Sequence, residues 1–189
     1  MAKKVIVFLA DGFEEVEAIT PIDYLRRAGL EVLTVSIGGG TDVKGARGVT
    51  VRADTSLAEL KSQGQAGAAS WDGVLLPGGM PGASNIAASG DAGALLKDMA
   101  AAGKLVCAIC ASPAVVLAPL GLLRDRRFTC FPGMEERVSG AKWSEERVVI
   151  DGNIITSRAA GTAAAWAAAI IGKLVNEGEA KKLAEAVLL

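Results

Sequence analysis

The 189-residue chain contains no histidine. Histidine is the usual base that activates a cysteine nucleophile, so its absence excludes a Cys-His-Asp triad within this chain. The cysteines number only three, and an odd number argues against a disulfide framework. Two closely spaced cysteines without histidine also provide too few ligands for zinc. The sequence therefore suggests neither a metal site nor a cofactor.

The chain is also poor in aromatic residues and in net charge. Aromatic residues make up 4% of it, and 20 basic residues nearly balance 21 acidic ones, giving a formal net charge of −1. No basic block is present, so nucleic acid is not an expected partner. Acidic residues follow the short apolar run 5–10 at once, which favours a buried first strand over a signal peptide. No apolar stretch reaches membrane-spanning length, and we expect a cytoplasmic protein without a membrane partner.

Short apolar runs alternate with longer segments of helical periodicity. This pattern predicts an α/β protein with a mostly parallel sheet covered by helices on both faces, in one domain over residues 1–189. The predicted strands are 5–10, 31–37, 49–51, 71–76, 105–109, 128–131 and a hairpin at 147–157 with Asp151-Gly152 at its turn. The predicted helices are 14 or 15 to 27, 91–102, 110 to about 120, 161–176 and 178–188. Pro21 should bend or break the first of them.

Cys110 stands where the apolar run 105–109 stops and a helical pattern begins. If the turn places its sulfur near the first amides of that helix, their partial positive charge favours the thiolate. The alternative is a small buried apolar residue, the usual state of a free cysteine. Cys107 lies within the strand, where a redox pair with Cys110 has no way to close. We expect Cys107 and Cys130 to be structural, although Cys130 can lie near the site.

Two other segments carry groups that suit a thiol site. Gly78 and Gly79 follow a buried strand, where two glycines let backbone amides approach an oxyanion or a ligand; a tight turn would require them equally. Glu14 and Glu15 have the pattern of surface charges at a helix start. Glu17 lies one turn further on, among apolar residues, and a buried carboxyl tends to keep its proton. Such a carboxyl can take the place of histidine beside a thiolate.

These motifs, in this order, resemble the ThiJ/PfpI superfamily, in particular the branch of the Parkinson-associated protein deglycase (glyoxalase III-like) and its bacterial homologues. The matching segments are FLADGFEEVEA (8–18), PID (21–23), LRRAG (25–29), LLPGG (75–79), AICASP (108–113) and TSR (156–158). The resemblance covers nearly the whole chain. It implies a flavodoxin-like three-layer sandwich, a nucleophile-elbow cysteine and a homodimer.

The resemblance also implies roles for individual residues. Cys110 would be the elbow nucleophile, and Glu17 the protonated partner of its thiolate. Backbone amides beside the sulfur would come from Gly78, Gly79 and Ala111. Arg47 would reach the site across the dimer interface and bind an anion or an oxidised sulfur. Further anion-binding or interface residues would be Glu14, Asp23 and Arg27.

Two segments depart from the family pattern. Several members have a histidine near the cysteine in a Thr-Thr-His-Pro-like segment, whereas Phe131 takes its place here, between Cys130 and Pro132. The usual Gly-Pro-Gly-Thr segment reads Ala-Ala-Gly-Thr at 159–162. The second departure puts local backbone geometry in question but not the fold.

Three functional interpretations follow. The first is an enzyme that detoxifies reactive 2-oxoaldehydes through Cys110, as a glutathione-independent glyoxalase or as a deglycase of proteins and nucleotides, with a part in the response to oxidative stress. The second is a non-catalytic redox sensor or chaperone that responds to oxidation of Cys110. In the third, Glu17 and Cys110 are only features of the fold. The expected partners are a small aldehyde or glycated side chains and a second copy of the chain.

Overall fold

The computed structural model describes residues 2–189. The strands within these residues are β1 (Lys4–Leu9), β2 (Glu31–Ser36), β3 (Asp42–Lys44), β4 (Thr50–Arg52), β5 (Thr55–Ser56), β6 (Gly73–Leu76), β7 (Leu105–Ile109), β8 (Arg127–Phe128), β9 (Lys142–Trp143), β10 (Val148–Asp151) and β11 (Ile154–Ser157). The α-helices are α1 (Glu15–Arg27), α2 (Leu57–Ser62), α3 (Gly82–Ala88), α4 (Gly90–Ala101), α5 (Ala163–Leu174) and α6 (Glu177–Ala186).

Seven strands form one sheet in the order β10-β11-β7-β6-β1-β2-β5. Every neighbouring pair is parallel except β10 with β11, which form the hairpin predicted from the sequence. Asp151 pairs with Ile154, so the two turn residues are Gly152 and Asn153 rather than Asp151 and Gly152. Gly152 has a φ of +60°, as a two-residue hairpin turn requires.

The sheet buries both of its faces. Successive residues of β1 alternate between two apolar clusters, with Phe8 in the cluster that contains Leu95 of α4 and Leu9 in the cluster that contains Trp166 of α5. A strand covered on both sides needs apolar residues at every position, which is why β1, β6 and β7 read as continuous apolar runs. The predicted flavodoxin-like α/β sandwich is confirmed.

Pro21 lies inside α1, as predicted, and the helix continues through it without the break that was the alternative, although proline removes one hydrogen bond of the helix. Other local predictions were wrong. After Cys110 the chain forms a π-helical turn, Pro113–Leu117, in place of a helix to about residue 120. The predicted strand 128–131 is shorter and lies at Arg127–Phe128. α2 and α3 were not predicted, because each is six or seven residues long and α3 is built mainly of small residues.

The topology places three segments of interest at one edge of the sheet. β6, β1 and β7 run parallel, with β6 between the other two, so their carboxyl ends point the same way. The loop after β1 leads to Glu17, the loop after β6 carries Gly78, and Cys110 follows β7. No helix in the described residues 2–189 is both long enough and apolar enough to span a bilayer.

Candidate active site

Cys110 forms a sharp elbow at the end of β7. Its φ is +64°, in the left-handed region that a residue with a Cβ rarely adopts. Two hydrogen bonds hold this backbone: the Cys110 amide donates to the Ser157 carbonyl at 3.0 Å, and the Cys110 carbonyl accepts from the Phe131 amide at 2.8 Å. The left-handed conformation costs about 1–2 kcal/mol. It leaves Cys110 partly exposed, whereas Cys107 in the strand is fully buried.

Glu17 is a buried carboxyl in the first turn of α1, with no exposed surface. Its Oε2 accepts a hydrogen bond from the Gly78 amide at 2.8 Å. Its backbone amide donates to Glu14 Oε2, also at 2.8 Å, so Glu14 is the N-cap of the helix. Glu17 Oε1 is buried and has no hydrogen-bond partner among residues 2–189. A carboxylate oxygen without a donor favours the protonated acid, because the ionised form loses its hydration without replacement.

The structure brings Glu17 and Cys110 together at Gly78. A Cβ on Gly78 would lie 2.6 Å from Cys110 Cβ and 2.7 Å from Glu17 Oε2. Only a residue without a side chain fits between the two groups. The sequence predicted that both residues leave carboxyl ends of strands, and their contact depends on β1 and β7 being separated by β6 alone.

Burial raises the pKa of Glu17 from 4.5 to about 7. The Gly78 amide, which donates to Glu17, and the nearby Cys110 thiol act in the opposite direction and lower this pKa. The charge of Glu14 raises it further. Glu17 therefore titrates near neutral pH.

The pKa of Cys110 is raised from 9 to about 12, first by burial and then by the charge of Glu17 and its hydrogen bond to the thiol. The sequence suggested the opposite direction, on the ground that the first amides of the following helix favour the thiolate. Amides of Gly79 and Ala111 do lower the pKa of Cys110, but burial and Glu17 outweigh them. The segment after Cys110 is also a single π-helical turn, which provides less of a dipole than a full helix.

Above about pH 7 the two groups together retain one proton, which lies mainly on the sulfur because Cys110 has the higher pKa. Two acids in contact titrate together, since ionisation of one opposes ionisation of the other. When the proton passes from the sulfur to Glu17, a thiolate forms without a change in net charge. Two amides then face the negative sulfur, and the orphaned oxygen Oε1 has room for the proton.

The amide groups predicted near the sulfur divide between the two acids. Gly79 and Ala111 donate toward Cys110, whereas the amide of Gly78 is taken by Glu17. Gly79 has a φ of +84°, and a Cβ there would collide with the Glu14 backbone nitrogen. The loop after β6 therefore requires both glycines, one for the close approach of the two acids and one for its fit against the start of α1.

Four residues predicted to bind anions or form an interface do not contact the sulfur within one chain. Arg47 is exposed in the loop between β3 and β4, and its backbone amide donates to the buried Glu15 at 2.6 Å. Asp23 and Arg27 form an exposed ion pair of 2.7 Å on α1. Glu14 is the nearest of the four, as the cap of the helix that carries Glu17.

Sequence reasoning assigned no role to three residues that shape the site. Ser157 provides the carbonyl that fixes the Cys110 backbone. Ala160 provides an amide that lowers the pKa of Glu17. Phe131 was noted only for replacing a histidine, yet its amide holds the carbonyl of Cys110. The Thr-Ser-Arg segment 156–158 matched the family pattern, but nothing in the sequence showed that the Ser157 carbonyl faces Cys110.

Two clefts open at the opposite end of the strands, around Asp72. Their volumes are about 820 and 360 Å³, and neither is lined by Cys110 or Glu17. Lysines on their walls pair with acidic groups, as Lys3 does with Asp72 at 3.2 Å. The sulfur and the carboxyl thus meet at the other edge of the sheet, away from these clefts. Among residues 2–189, no group of three or more His, Cys, Asp or Glu side chains is placed to hold a metal ion.

The family model and the relatives found by sequence comparison agree with one another. Residues 3–173 match the DJ-1/PfpI family. Protein DJ-1 homolog B of Arabidopsis thaliana is 38% identical over 98% of this chain, which spans only 41% of that relative's length. A deglycase of Pyrococcus abyssi is 34% identical over 86% of this chain and 94% of its own length.

Solved structures agree with the sequence matches. The oxidised form of Toxoplasma gondii DJ-1 superimposes with a TM-score of 0.93 at 38% identity, covering 99% of this chain and 98% of that one. The family match over most of the chain, the relatives above 30% identity and the shared fold agree with one another. The chain belongs to the DJ-1/PfpI family.

Proposed function

We propose that the chain detoxifies reactive 2-oxoaldehydes through Cys110, as a glutathione-independent glyoxalase or as a deglycase of glycated proteins and nucleotides. The observation that carries this proposal is that Cys110 and the buried Glu17, which titrates near neutral pH, lie on either side of Gly78. The relative from Pyrococcus abyssi, whose name is deglycase, supports the same class of chemistry. The chain itself spans less than half of the Arabidopsis relative, so the proposal concerns the chemistry of this chain alone.

The pair can perform each proton transfer that the reaction needs. In the form of the pair in which Glu17 is ionised, Cys110 gives its proton to Glu17, and its sulfur adds to the aldehyde carbon. The electrons of the C=O bond move to oxygen, which takes the proton from Glu17 and completes a hemithioacetal. Glu17, now ionised, removes the hydrogen of that carbon as a proton and returns it to the neighbouring carbon, while the hydroxyl proton of the hemithioacetal passes to the neighbouring carbonyl oxygen. The product is a thioester, which water cleaves to the hydroxy acid and the free thiol.

This sequence of steps requires no oxidant and no cofactor. One carbon of the substrate is oxidised and its neighbour is reduced, while water enters at the end. Amides of Gly79 and Ala111 stabilise negative charge on the sulfur while it acts as nucleophile and as leaving group. In the deglycase version, the sulfur attacks the glycated adduct in place of the free aldehyde.

Lactate formation from methylglyoxal tests the proposal. We expect the purified protein to form lactate, Cys110→Ala to form none, and Glu17→Gln to fall by about a hundredfold or more, the size of effect typical for loss of general acid–base catalysis. Cys107→Ala is the matched control, because it removes a thiol of the same strand that is fully buried. Absence of lactate above the buffer rate with the unmodified protein would overturn the proposal.

A second candidate function is sensing of oxidants, in which the oxidised protein acts as a chaperone or binds a partner. Of the three free cysteines, Cys110 alone is not fully buried. Exposure favours the reaction of a thiol with peroxide, and transfer of its proton to Glu17 would supply the reactive thiolate that the raised pKa of Cys110 otherwise disfavours. We expect intact mass to rise in steps of one oxygen at Cys110, and the oxidised form to gain protective activity. Equal oxidation of Cys107, Cys110 and Cys130 would contradict this function.

We also propose that the chain acts as a homodimer in the cytoplasm, where three free thiols stay reduced. Val16 and Ile19 on α1 are 48% and 43% exposed, and Val49 beside the Arg47 loop is 53% exposed. An apolar surface of this kind, next to an exposed arginine, suits a second copy of the chain. Sedimentation should give a dimer that becomes monomeric in Val16→Glu/Ile19→Glu. A monomeric unmodified protein at micromolar concentration would contradict the proposal.

A further inference from the structure

Two exposed apolar side chains flank the turn that carries Cys110. Phe131 is 46% exposed and Met80 is 49% exposed. Isolated apolar residues at a surface need no explanation. These two, however, lie on separate loops that both adjoin Cys110: the Phe131 amide donates to the Cys110 carbonyl, and a Cβ on Gly78, two residues before Met80, would lie 2.6 Å from Cys110 Cβ.

The hydrogen bonds fix the distance between the loops and the thiol. The Phe131 amide donates to the Cys110 carbonyl at 2.8 Å, so Phe131 is a direct neighbour of the Cys110 turn. In the other loop, the Gly78 position lies against Cys110 Cβ, and Met80 follows two residues later. Ser84 at the start of α3 donates to Met80 Sδ at 3.7 Å, which holds the thioether at this rim.

Neither loop contributes a charge. Residues 77–81 are Pro-Gly-Gly-Met-Pro, and residues 129–133 are Thr-Cys-Phe-Pro-Gly. The charge that acts on the sulfur is that of Glu17, which disfavours an anionic substrate. A substrate that reaches the sulfur between these loops therefore meets an aromatic ring and a thioether, which favour apolar and aromatic groups.

We propose that Phe131 and Met80 form an apolar subsite that takes the side chain of the aldehyde and directs the chain toward aromatic and branched 2-oxoaldehydes over glyoxal. The preference among aldehydes rests on the proposed function, whereas the subsite itself rests on the two loops alone. Phe131 stands at the position where several family members have a histidine, so this chain presents an aromatic ring in place of an imidazole. Glyoxal, which has no side chain, gains nothing from this subsite.

Turnover of phenylglyoxal and glyoxal measures the subsite. We expect a higher kcat/KM for phenylglyoxal, and Phe131→Ala should lower the ratio of the two kcat/KM values about fivefold, as expected for one aromatic pair. The loss should appear mainly in the KM for phenylglyoxal. Ile150→Ala, which removes a side chain of 41% exposure on the edge strand β10, should leave the ratio unchanged. A ratio within about twofold of the unmodified protein in Phe131→Ala would overturn the subsite.

Alkylation of Cys110 separates the subsite from the catalytic proposal. The rates with N-benzyl and N-methyl iodoacetamide, followed by intact mass, report recognition of an apolar group without any turnover. A benzyl preference that is lost in Phe131→Ala supports the subsite even if no aldehyde is consumed, a result that would overturn the proposed function alone. Turnover of both aldehydes with no benzyl preference would overturn the subsite and leave the proposed function standing.

Discussion

The raised pKa of Glu17 predicts that this carboxyl makes the protein less stable as the pH rises. In the folded protein Glu17 holds its proton up to about pH 7, whereas the unfolded chain releases it near 4.5. Between these values the unfolded state binds fewer protons than the folded state, so the free energy of unfolding falls with pH. The contribution is fully present below pH 4.5 and is lost as the pH passes through 7.

The size of the effect follows from the two pKa values. Their difference, 7 − 4.5 = 2.5, corresponds to about 3 kcal/mol at about 1.4 kcal/mol per pKa unit. Glu17 is fully buried, so solvent does not screen this energy. The variant Glu17→Gln cannot titrate, and its side-chain oxygen can still accept the hydrogen bond from Gly78. Relative to the unmodified protein, we expect the variant to gain about 3 kcal/mol of stability between pH 4.5 and 7.5.

Urea unfolding at several pH values between 4.5 and 7.5 measures this difference directly. Subtracting the two proteins cancels the carboxylates that they share, and Glu136→Gln, an exposed carboxylate removed elsewhere, controls for the change in charge. A stability difference between Glu17→Gln and the unmodified protein that stays constant within about 0.5 kcal/mol would refute the reasoning. It would mean that the pKa of Glu17 in the folded protein is close to its value in the unfolded chain, and that Glu17 holds no proton near neutral pH that it could give to the substrate oxygen.

Three further predictions concern packing around the site and in the core. Gly78→Ala places a Cβ 2.6 Å from Cys110 Cβ and should lower lactate formation about a hundredfold, with circular dichroism unchanged. An unaffected rate would show that the close approach of Cys110 and Glu17 at Gly78 is unnecessary. In Gly45→Ala the new Cβ would collide with the Glu15 carboxylate, which accepts hydrogen bonds from the Arg47 and Val49 amides. Hydrogen exchange of these two amides should therefore accelerate at least about tenfold, while the β7 amides exchange as before. Leu95→Ala truncates a side chain of 2% exposure on α4 and should lower the free energy of unfolding, measured by urea denaturation, by about 2–5 kcal/mol. A loss below about 1 kcal/mol would mean that Leu95 is not packed in the core.

The architecture could be predicted because apolar runs and helical periodicity report burial directly. β7 was predicted at its observed bounds, 105–109, and α1 within one residue of its start. α3 gave no such signal, because Gly82, Ala83 and Ser84 carry little apolar surface and the helix is held by its burial against the sheet. The segment after Cys110 looked like a longer helix because its apolar residues are regularly spaced, yet it closes as one π-helical turn.

The candidate site was predictable in its residues and not in its electrostatics. Cys110, Glu17 and the two glycines follow from their positions at strand ends and from the family resemblance. Which amide serves which acid did not follow, because Gly78 and Gly79 are equivalent in the sequence and only the fold separates them. The direction of the Cys110 pKa was wrong for a related reason. Desolvation and the Glu17 charge depend on three-dimensional contacts, whereas the helix start is visible in the sequence.

The site concentrates two unfavourable features at one point of a well-packed fold. Cys110 holds a left-handed backbone that glycine would adopt at lower cost, about 1–2 kcal/mol less. Glu17 buries a carboxyl with one unpartnered oxygen, where an amide or an apolar side chain would avoid the loss of hydration. Selection for stability alone would remove both, and strain that persists beside a reactive group indicates function. In a chain without histidine, these two features provide what the proposed nucleophile and proton carrier require, which weighs against the interpretation of Glu17 and Cys110 as features of the fold alone.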